Sequence, residues 1–179
     1  MTKDFEIRDA VPDDADSLFE IRAAGWRSAY AGIVESQILK RQIAPKKRIG
    51  WVARMRDIIA NPDADFFALV AMFDGRAIGF IGGSKTNRRK EYSNADVSFS
   101  GFYLYPEYIG TGLGKVMFNA MLKRFAELGA KTANIGCLTK NRSCGFYEHM
   151  GAVPVGGFFD EKLGGVHETV FDIRVPSAG

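Results

Sequence analysis

A glycine-rich segment, Ile109-Gly110-Thr111-Gly112-Leu113-Gly114-Lys115, contains the residue pattern best suited to ligand chemistry in this sequence. It follows an aromatic, β-prone stretch at 98–105 that Pro106 ends, and it leads into an amphipathic helix that Gly129 terminates. A glycine turn that opens a helix presents unpaired backbone N–H groups at the positive end of the helix dipole. Such a turn binds phosphate. The segment therefore predicts an anionic ligand.

Two common phosphate-binding motifs do not fit this loop. A nucleotide P-loop has four residues between its glycines and then Gly-Lys followed by Ser or Thr, but here three residues separate Gly110 from Gly114, and Val116 follows Lys115. A dinucleotide-binding turn needs G-x-G-x-x-G and an acid at the end of the next strand. This loop is G-x-G-x-G, and the predicted strand 131–138 contains no acid. Both nucleotide classes are therefore disfavoured.

A second motif follows one helix and one strand later. It reads Asn141-Arg142-Ser143-Cys144-Gly145-Phe146-Tyr147-Glu148-His149-Met150-Gly151. Together and in this order, the two motifs resemble the acetyl-CoA signature of the GCN5-related N-acetyltransferase (GNAT) superfamily, with Tyr108 or Ile109 standing where the family has Gln or Arg. The resemblance implies an α/β fold with a mixed, mostly antiparallel sheet of six to seven strands flanked by helices, in one domain over 1–179.

The resemblance also implies acetyl-CoA as the acyl-donor cosubstrate and no metal. The backbone N–H groups of 110–114 would hold the pyrophosphate, because a backbone without side chains can approach a phosphate closely. In the family, the strand before the loop diverges from its neighbour, and its free edge pairs with the pantetheine arm. The residues assigned to the coenzyme on this basis are Phe102, Tyr103, Leu104, Ile109, Gly110, Thr111, Gly112, Leu113, Gly114, Lys115, Asn141 and Tyr147.

Tyr147 is the predicted proton donor to the departing thiolate, with an ordinary core tyrosine as the alternative. A phenol with a pKa of about 10 can donate to a thiolate whose thiol has a pKa of about 8.5 without being ionised itself. The acceptor amine, with a pKa of about 10.4, needs a base. Relatives carry a Glu on the strand before the loop, where Ser98 stands here with Asp96 nearby, so both are candidate catalytic residues. Further candidates are Glu35, Asp160 and His167.

Trp26 and Tyr30 are the predicted substrate-binding residues, with core packing as the alternative. The W-x-x-x-Y-x-G-I pattern at 26–33 resembles a bacterial subgroup that includes polyamine and peptide acetyltransferases. The implied reaction is direct transfer of an acetyl group to a primary amine of a small molecule, a polyamine or a peptide. The second hypothesis is a non-catalytic module that binds acyl-CoA as a sensor on the same fold.

The rest of the chain must position these motifs. Its periodicities predict the element order β α α β β β α β α β β, with a hairpin turn at Asp74-Gly75 and two closing strands at 153–159 and 166–175. Gly79, Gly82 and Gly83 predict a bulge or a close backbone approach. The polar stretch 85–94 is predicted to be a solvated connecting loop, with contact of its charges to a phosphate as the alternative.

Composition frames these expectations. A chain of 179 residues with 46% apolar content suits one domain, and a net charge of +3 is far from that of a nucleic-acid binder. Two cysteines favour a reducing, cytoplasmic setting over a disulfide framework. The charged N-terminus does not resemble a signal peptide, and no apolar run is long enough to cross a bilayer. The expected partners exclude nucleic acid and membrane, and a homodimer remains open.

Overall fold

The structure is a computed structural model that describes residues 4–179, so the first three residues of the expected domain 1–179 lie outside that range. The strands are β1 (Glu6–Asp9), β2 (Phe66–Phe73), β3 (Arg76–Ser84), β4 (Val97–Leu104), β5 (Thr132–Leu138), β6 (Val153–Asp160) and β7 (Val166–Arg174). The helices are α1 (Ala15–Ala29), α2 (Ser36–Gln42), α3 (Pro45–Ala60), α4 (Leu113–Glu127) and α5 (Ser143–His149).

The strands form one mixed sheet in the order β1-β2-β3-β4-β5-β7-β6. Neighbouring strands run antiparallel except β4 and β5, which are parallel. This arrangement confirms the predicted fold class. The predicted element order lacked α2, because a helix of seven residues is too short to show a repeating apolar face.

Helices cover both faces of the sheet. On one face, α4 buries Met117, Phe118 and Phe125 completely against the strands and α5. On the other face, α1 contributes Leu18 and Ile21, which are also fully buried. Each such side chain stabilises the fold by about 1.5–3 kcal/mol through removal of apolar surface from water.

The glycines of β3 allow close packing on the α4 face and on β2. A Cβ at Gly83 would lie 2.9 Å from the Phe67 ring and 3.0 Å from the Met121 sulfur, and one at Gly82 would lie 2.7 Å from the Phe66 ring. The predicted close approach is therefore confirmed. Any side chain here would push the sheet away from its neighbours.

The parallel pair β4–β5 opens into a V. The two strands pair only at Val97 with Ala133 and at Ser98 with Asn134. From Phe99 onward, no described strand pairs with β4 on that side. The sheet therefore presents a cleft at the end where the glycine loop begins. Every helix in residues 4–179 is too short or too polar to cross a lipid bilayer.

Candidate active site

The glycine loop leaves several backbone donors free. Gly110 and Gly112 have left-handed φ values of +79° and +89°, and a Cβ at either would meet no atom within 4 Å. No described residue accepts a hydrogen bond from the N–H groups of Gly110, Gly112, Gly114 and Lys115. These donors lie at the start of α4, where the helix dipole favours an anion. The loop therefore fits a pyrophosphate, the group that coenzyme A would bring.

Thr111 and Leu113 play structural parts in the same loop. The Thr111 hydroxyl donates to the Tyr108 carbonyl at 2.7 Å and closes the turn. The Leu113 side chain is fully buried in the core below α4. The Thr111 N–H donates to the Tyr108 carbonyl and the Leu113 N–H donates to the Thr111 hydroxyl, so the free N–H groups of the loop are those of its glycines and of Lys115. Ile109 is 63% exposed beside them.

A groove of about 870 Å³ runs from this loop into the V of the sheet. We call it the loop groove. Its walls include all three residues expected at the free strand edge, Phe102, Tyr103 and Leu104, and α5 closes its far side through Phe146 and Tyr147. An extended ligand in the groove can therefore run along unpaired backbone of β4.

A smaller cavity of about 270 Å³ continues deeper between β4, β5 and β7. We call it the inner cavity. Six residues line both spaces: Tyr30, Phe102, Tyr103, Asn141, Ser143 and Tyr147. The two spaces therefore meet at one place, and the Tyr147 phenol is part of that junction.

Tyr147 is held by aromatic packing. Its ring centroid lies 6.0 Å from that of Phe118, 5.5 Å from that of Phe146 and 6.3 Å from that of Phe171. Burial raises the pKa of the Tyr147 phenol, and the neighbouring Cys137 thiol adds to the effect. No side chain in the described part of the chain forms a hydrogen bond with its hydroxyl. The phenol therefore stays protonated and can donate to a ligand.

Asn141 lies at the start of α5, beside Tyr147. Its Oδ1 accepts a hydrogen bond from the Ser143 N–H at 3.0 Å, which fixes the side chain in an Asx turn. Its Nδ2 has no acceptor among residues 4–179. This amide can therefore donate to a ligand at the junction.

Trp26 and Tyr30 form an aromatic wall of the inner cavity. Their ring centroids lie 4.8 Å apart, and the Trp26 Nε1 donates to the Tyr103 hydroxyl at 3.2 Å. The Arg22 guanidinium stacks over Trp26 at 4.6 Å. Burial raises the pKa of the Tyr30 phenol. Trp26 is 6% exposed, so it both packs in the core and faces the cavity.

The structure does not bring Asp96 or Ser98 to this site. Neither is among the described residues that line the two spaces. The Asp96 carboxylate accepts hydrogen bonds from the backbone N–H groups of Lys131 and Thr132 at 2.7 and 3.0 Å, outside the cleft. The fully buried Ser98 hydroxyl accepts from the Arg88 N–H at 2.8 Å. Both residues hold strand ends together, and we give neither a part in the chemistry.

The other three candidate bases also lie elsewhere. Glu35 is exposed and precedes α2. Asp160 caps a short turn by accepting from the Lys162 N–H at 2.9 Å. His167 bonds the Thr139 hydroxyl at 2.6 Å on the outer side of β7. None of them is a described lining residue of the two spaces.

An ion pair in the inner cavity was missed by the sequence analysis. Arg89 belongs to the loop predicted to be solvated, yet its side chain is only 19% exposed, and its Nε lies 3.7 Å from the Glu168 carboxylate, which is 15% exposed. The sequence held one usable signal. Gly136 interrupts the apolar strand β5, and a glycine inside a strand marks a close approach.

The sequence model of the Acetyltransferase (GNAT) family matches residues 33–152. No curated protein sequence matches the chain. No group of His, Cys, Asp or Glu side chains within residues 4–179 is arranged to hold a metal ion.

Solved structures share the fold at low identity. PaiA N-acetyltransferase from Thermoplasma acidophilum, in complex with coenzyme A, is 19% identical with a TM-score of 0.67, over 96% of this chain and 99% of that one. YncA from Salmonella typhimurium, with its cofactor acetyl-CoA, is 17% identical with a TM-score of 0.65, over 96% and 94%. The ribosomal-protein-S18-alanine N-acetyltransferase from Escherichia coli is 11% identical with a TM-score of 0.64, over 98% and 97%. With the family match covering well over half of its length, this chain belongs to the Acetyltransferase (GNAT) family.

Proposed function

We propose that this protein is an N-acetyltransferase that transfers an acetyl group from acetyl-CoA to a primary amine by direct attack. One observation carries the proposal. A groove that starts at free backbone amides leads to a protonated phenol, and a second cavity opens on the other side of that phenol. Such an arrangement lets a donor and an acceptor approach one point from two directions.

The loop groove is the proposed donor site. The free N–H groups of Gly110, Gly112 and Gly114 would hold the pyrophosphate, and Lys115 adds positive charge at the groove wall. The unpaired edge of β4 supplies backbone groups for the amide-containing arm of the coenzyme, in the manner of an added strand. Acetyl-CoA supplies an activated thioester carbonyl at the end of that arm.

Tyr147 is the proposed acid. Its buried phenol remains protonated at neutral pH, so it can donate a proton to the sulfur as the carbon–sulfur bond breaks. The Asn141 Nδ2 is positioned to donate a hydrogen bond at the same junction. A positioned proton donor of this kind contributes about 10²–10⁴-fold to a rate.

The inner cavity is the proposed acceptor site, with Trp26 and Tyr30 as its aromatic wall. An amine carried by a small molecule, a polyamine or a peptide side chain would enter there. Cys137 and Cys144 are both free thiols, which supports a reducing compartment, so the proposal includes a cytoplasmic location for the single domain.

The test combines binding and turnover. Calorimetry with coenzyme A measures the donor site, and release of free thiol from acetyl-CoA with a panel of amines measures transfer. Tyr147→Phe is expected to bind coenzyme A as the wild type does and to lose about 10²–10⁴-fold in kcat. Tyr92→Phe is the matched control, because Tyr92 stacks on Phe158 and lies outside both spaces.

Three outcomes separate the hypotheses. Loss of thiol release in Tyr147→Phe alone supports the enzyme. Tight coenzyme A binding by the wild type with no thiol release on any amine supports the sensor module instead. The absence of any coenzyme A affinity contradicts both.

A further inference from the structure

Glu168 offers an open acceptor inside the inner cavity. It lies on β7 in register with Leu138, and its side chain reaches over Gly136 of the neighbouring strand. Its ion-pair partner, the Arg89 Nε, is 3.7 Å away, which is longer than an ordinary hydrogen bond. The carboxylate therefore has acceptor capacity left for a ligand in the cavity.

Arg89 is anchored independently of Glu168. Its Nη1 donates to the Phe99 carbonyl at 3.1 Å and to the Asn134 Oδ1 at 3.2 Å. The Asn134 Nδ2 in turn donates to the Asn87 Oδ1 at 2.8 Å. The guanidinium is therefore held by β4 and β5, and its positive charge lies beside the carboxylate.

Gly136 provides the space that the pair needs. A Cβ at this position would lie 1.9 Å from the Glu168 Oε1 and 2.5 Å from the Arg89 Nε. Both side chains would therefore have to move away from β5 to make room for a methyl group. A bare backbone in β5 is thus a condition for having this carboxylate in the cavity.

We infer that Glu168 binds the acceptor amine and takes its proton during transfer, with Arg89 as a positioning residue. The inference rests on the proposed acetyl transfer and assigns the base that this reaction needs. Glu168 takes the proton that the nitrogen loses as the nitrogen–carbon bond forms. Tyr147 supplies the proton that the sulfur gains as the carbon–sulfur bond breaks. When the products leave, Glu168 returns its proton to solvent and the Tyr147 phenol is reprotonated.

The charge balance of the cavity suits a base. Burial raises the pKa of the Glu168 carboxyl, which makes the carboxylate a stronger proton acceptor, and the Arg89 cation opposes that rise. The same cation disfavours an ammonium beside it and favours the neutral amine that attacks. The titratable groups around Glu168 are Arg89 before β4, Cys137 on β5, Asp160 on β6, Tyr147 on α5, Tyr30 after α1 and Tyr103 on β4.

The size of the cavity limits the acceptor. A volume of about 270 Å³ holds roughly nine water-sized groups at about 30 Å³ each. A small primary amine, or one amine-bearing side chain, fits this space.

The experiment measures kcat/KM against pH with ethanolamine, putrescine, glycinamide and lysine as acceptors. The wild type is expected to show an acidic limb from Glu168 in addition to the titration of the amine. Glu168→Gln should lower kcat/KM by about 10²–10⁴-fold and remove the acidic limb, while coenzyme A affinity stays within twofold. The exposed Glu161 gives the matched control, Glu161→Gln, which should behave as the wild type does.

The variant Arg89→Gln distinguishes an electrostatic role of Arg89 from a purely structural one. Removal of the cation should raise the pKa of Glu168, so the acidic limb moves to higher pH by about one unit or more. A merely structural role would lower activity without moving the limb, and an unmoved limb overturns the inference. Should Glu168→Gln lose coenzyme A binding through misfolding, Glu168→Asp decides, because it should keep the limb at a reduced rate.

Failure of the role of Glu168 and failure of the proposed acetyl transfer give different results. Full activity and an unchanged pH profile in Glu168→Gln overturn the role of Glu168 and leave the acetyltransferase standing. A wild type that binds coenzyme A but releases no thiol with any of the four amines overturns the proposed transfer to small amines, and the inference with it.

Discussion

The loop groove and the inner cavity are built in different ways. The anion-binding part of the groove consists of the free backbone N–H groups of Gly110, Gly112, Gly114 and Lys115, and the space above Gly110 and Gly112 is open. The inner cavity consists of side chains that come from positions as distant as Trp26 and Glu168. The first is a local conformation followed by a helix, whereas the second exists only where three strands and two helices meet.

This difference predicts which substitutions the loop groove and the inner cavity each tolerate. The groove depends on backbone angles, so a substitution that alters φ should harm it whatever the new side chain does. The inner cavity depends on placement of charges, so a change of volume beneath those charges should harm it while the backbone angles stay ordinary. Substitutions of single glycines can therefore separate the two halves.

Gly136→Ala should have the largest effect. The new methyl group would overlap the Glu168 carboxylate and the Arg89 guanidinium, so kcat/KM for amines is expected to fall by about 10²–10⁴-fold, the contribution of a positioned base. Coenzyme A affinity should stay unchanged in calorimetry. Gly50→Ala on α3 is the control, because its Cβ meets open space, and it should stabilise the protein by about 0.5–1 kcal/mol. Normal turnover in Gly136→Ala would contradict the role of the ion pair.

Gly112→Ala should impair the loop groove, with a smaller effect. An alanine at φ +89° is strained by about 1–2 kcal/mol, and relief of that strain turns the loop amides, so coenzyme A affinity should fall about tenfold at 1.4 kcal/mol per decade. The control is Gly129→Ala at φ +81° beyond the opposite end of α4. Both variants should lose similar stability in thermal unfolding, and only the first should lose affinity. Equal affinities would show that the loop does not hold the ligand.

Asp96→Ala should have the smallest effect and should leave the loop groove and the inner cavity intact. Hydrogen bonds from the backbone N–H groups of Lys131 and Thr132 hold the pKa of Asp96 below its usual range. The Asp96 carboxylate therefore contributes to the free energy of unfolding at pH values above its pKa in the unfolded chain, about 3.9. That contribution is lost as the pH falls through the lower pKa of Asp96 in the folded protein. At neutral pH the variant should lose about 1 kcal/mol, or roughly 2–4 °C in Tm, and the difference should vanish in strong acid.

The control for this prediction is Asp57→Ala, an exposed position on α3, which should leave the Tm unchanged. Turnover of Asp96→Ala should equal that of the wild type in the thiol-release assay. A fall in kcat of tenfold or more at unchanged coenzyme A affinity would show that Asp96 takes part in catalysis.

Much of the fold was predictable because local patterns encode it. The hairpin turn between β2 and β3 was predicted at Asp74-Gly75 and lies there, and both residues of the turn take positive φ. The end of α4 was equally predictable, because Gly129 takes the left-handed conformation that stops a helix. Helix α2 was not predicted, because seven residues are too few to show a repeating apolar face.

The sequence by itself determined the family, the glycine loop and the position of Tyr147 in its motif, because each of these depends on residues close together in the chain. Only the tertiary structure decided that Asp96 and Ser98 stay outside the cleft and that Arg89 and Glu168 lie inside it. The physical reason is strand register. Pairing of β7 with β5 places Glu168 over Gly136, and nothing in the spacing of residues 136 and 168 could specify that a bare backbone and a carboxylate would share one face of the sheet.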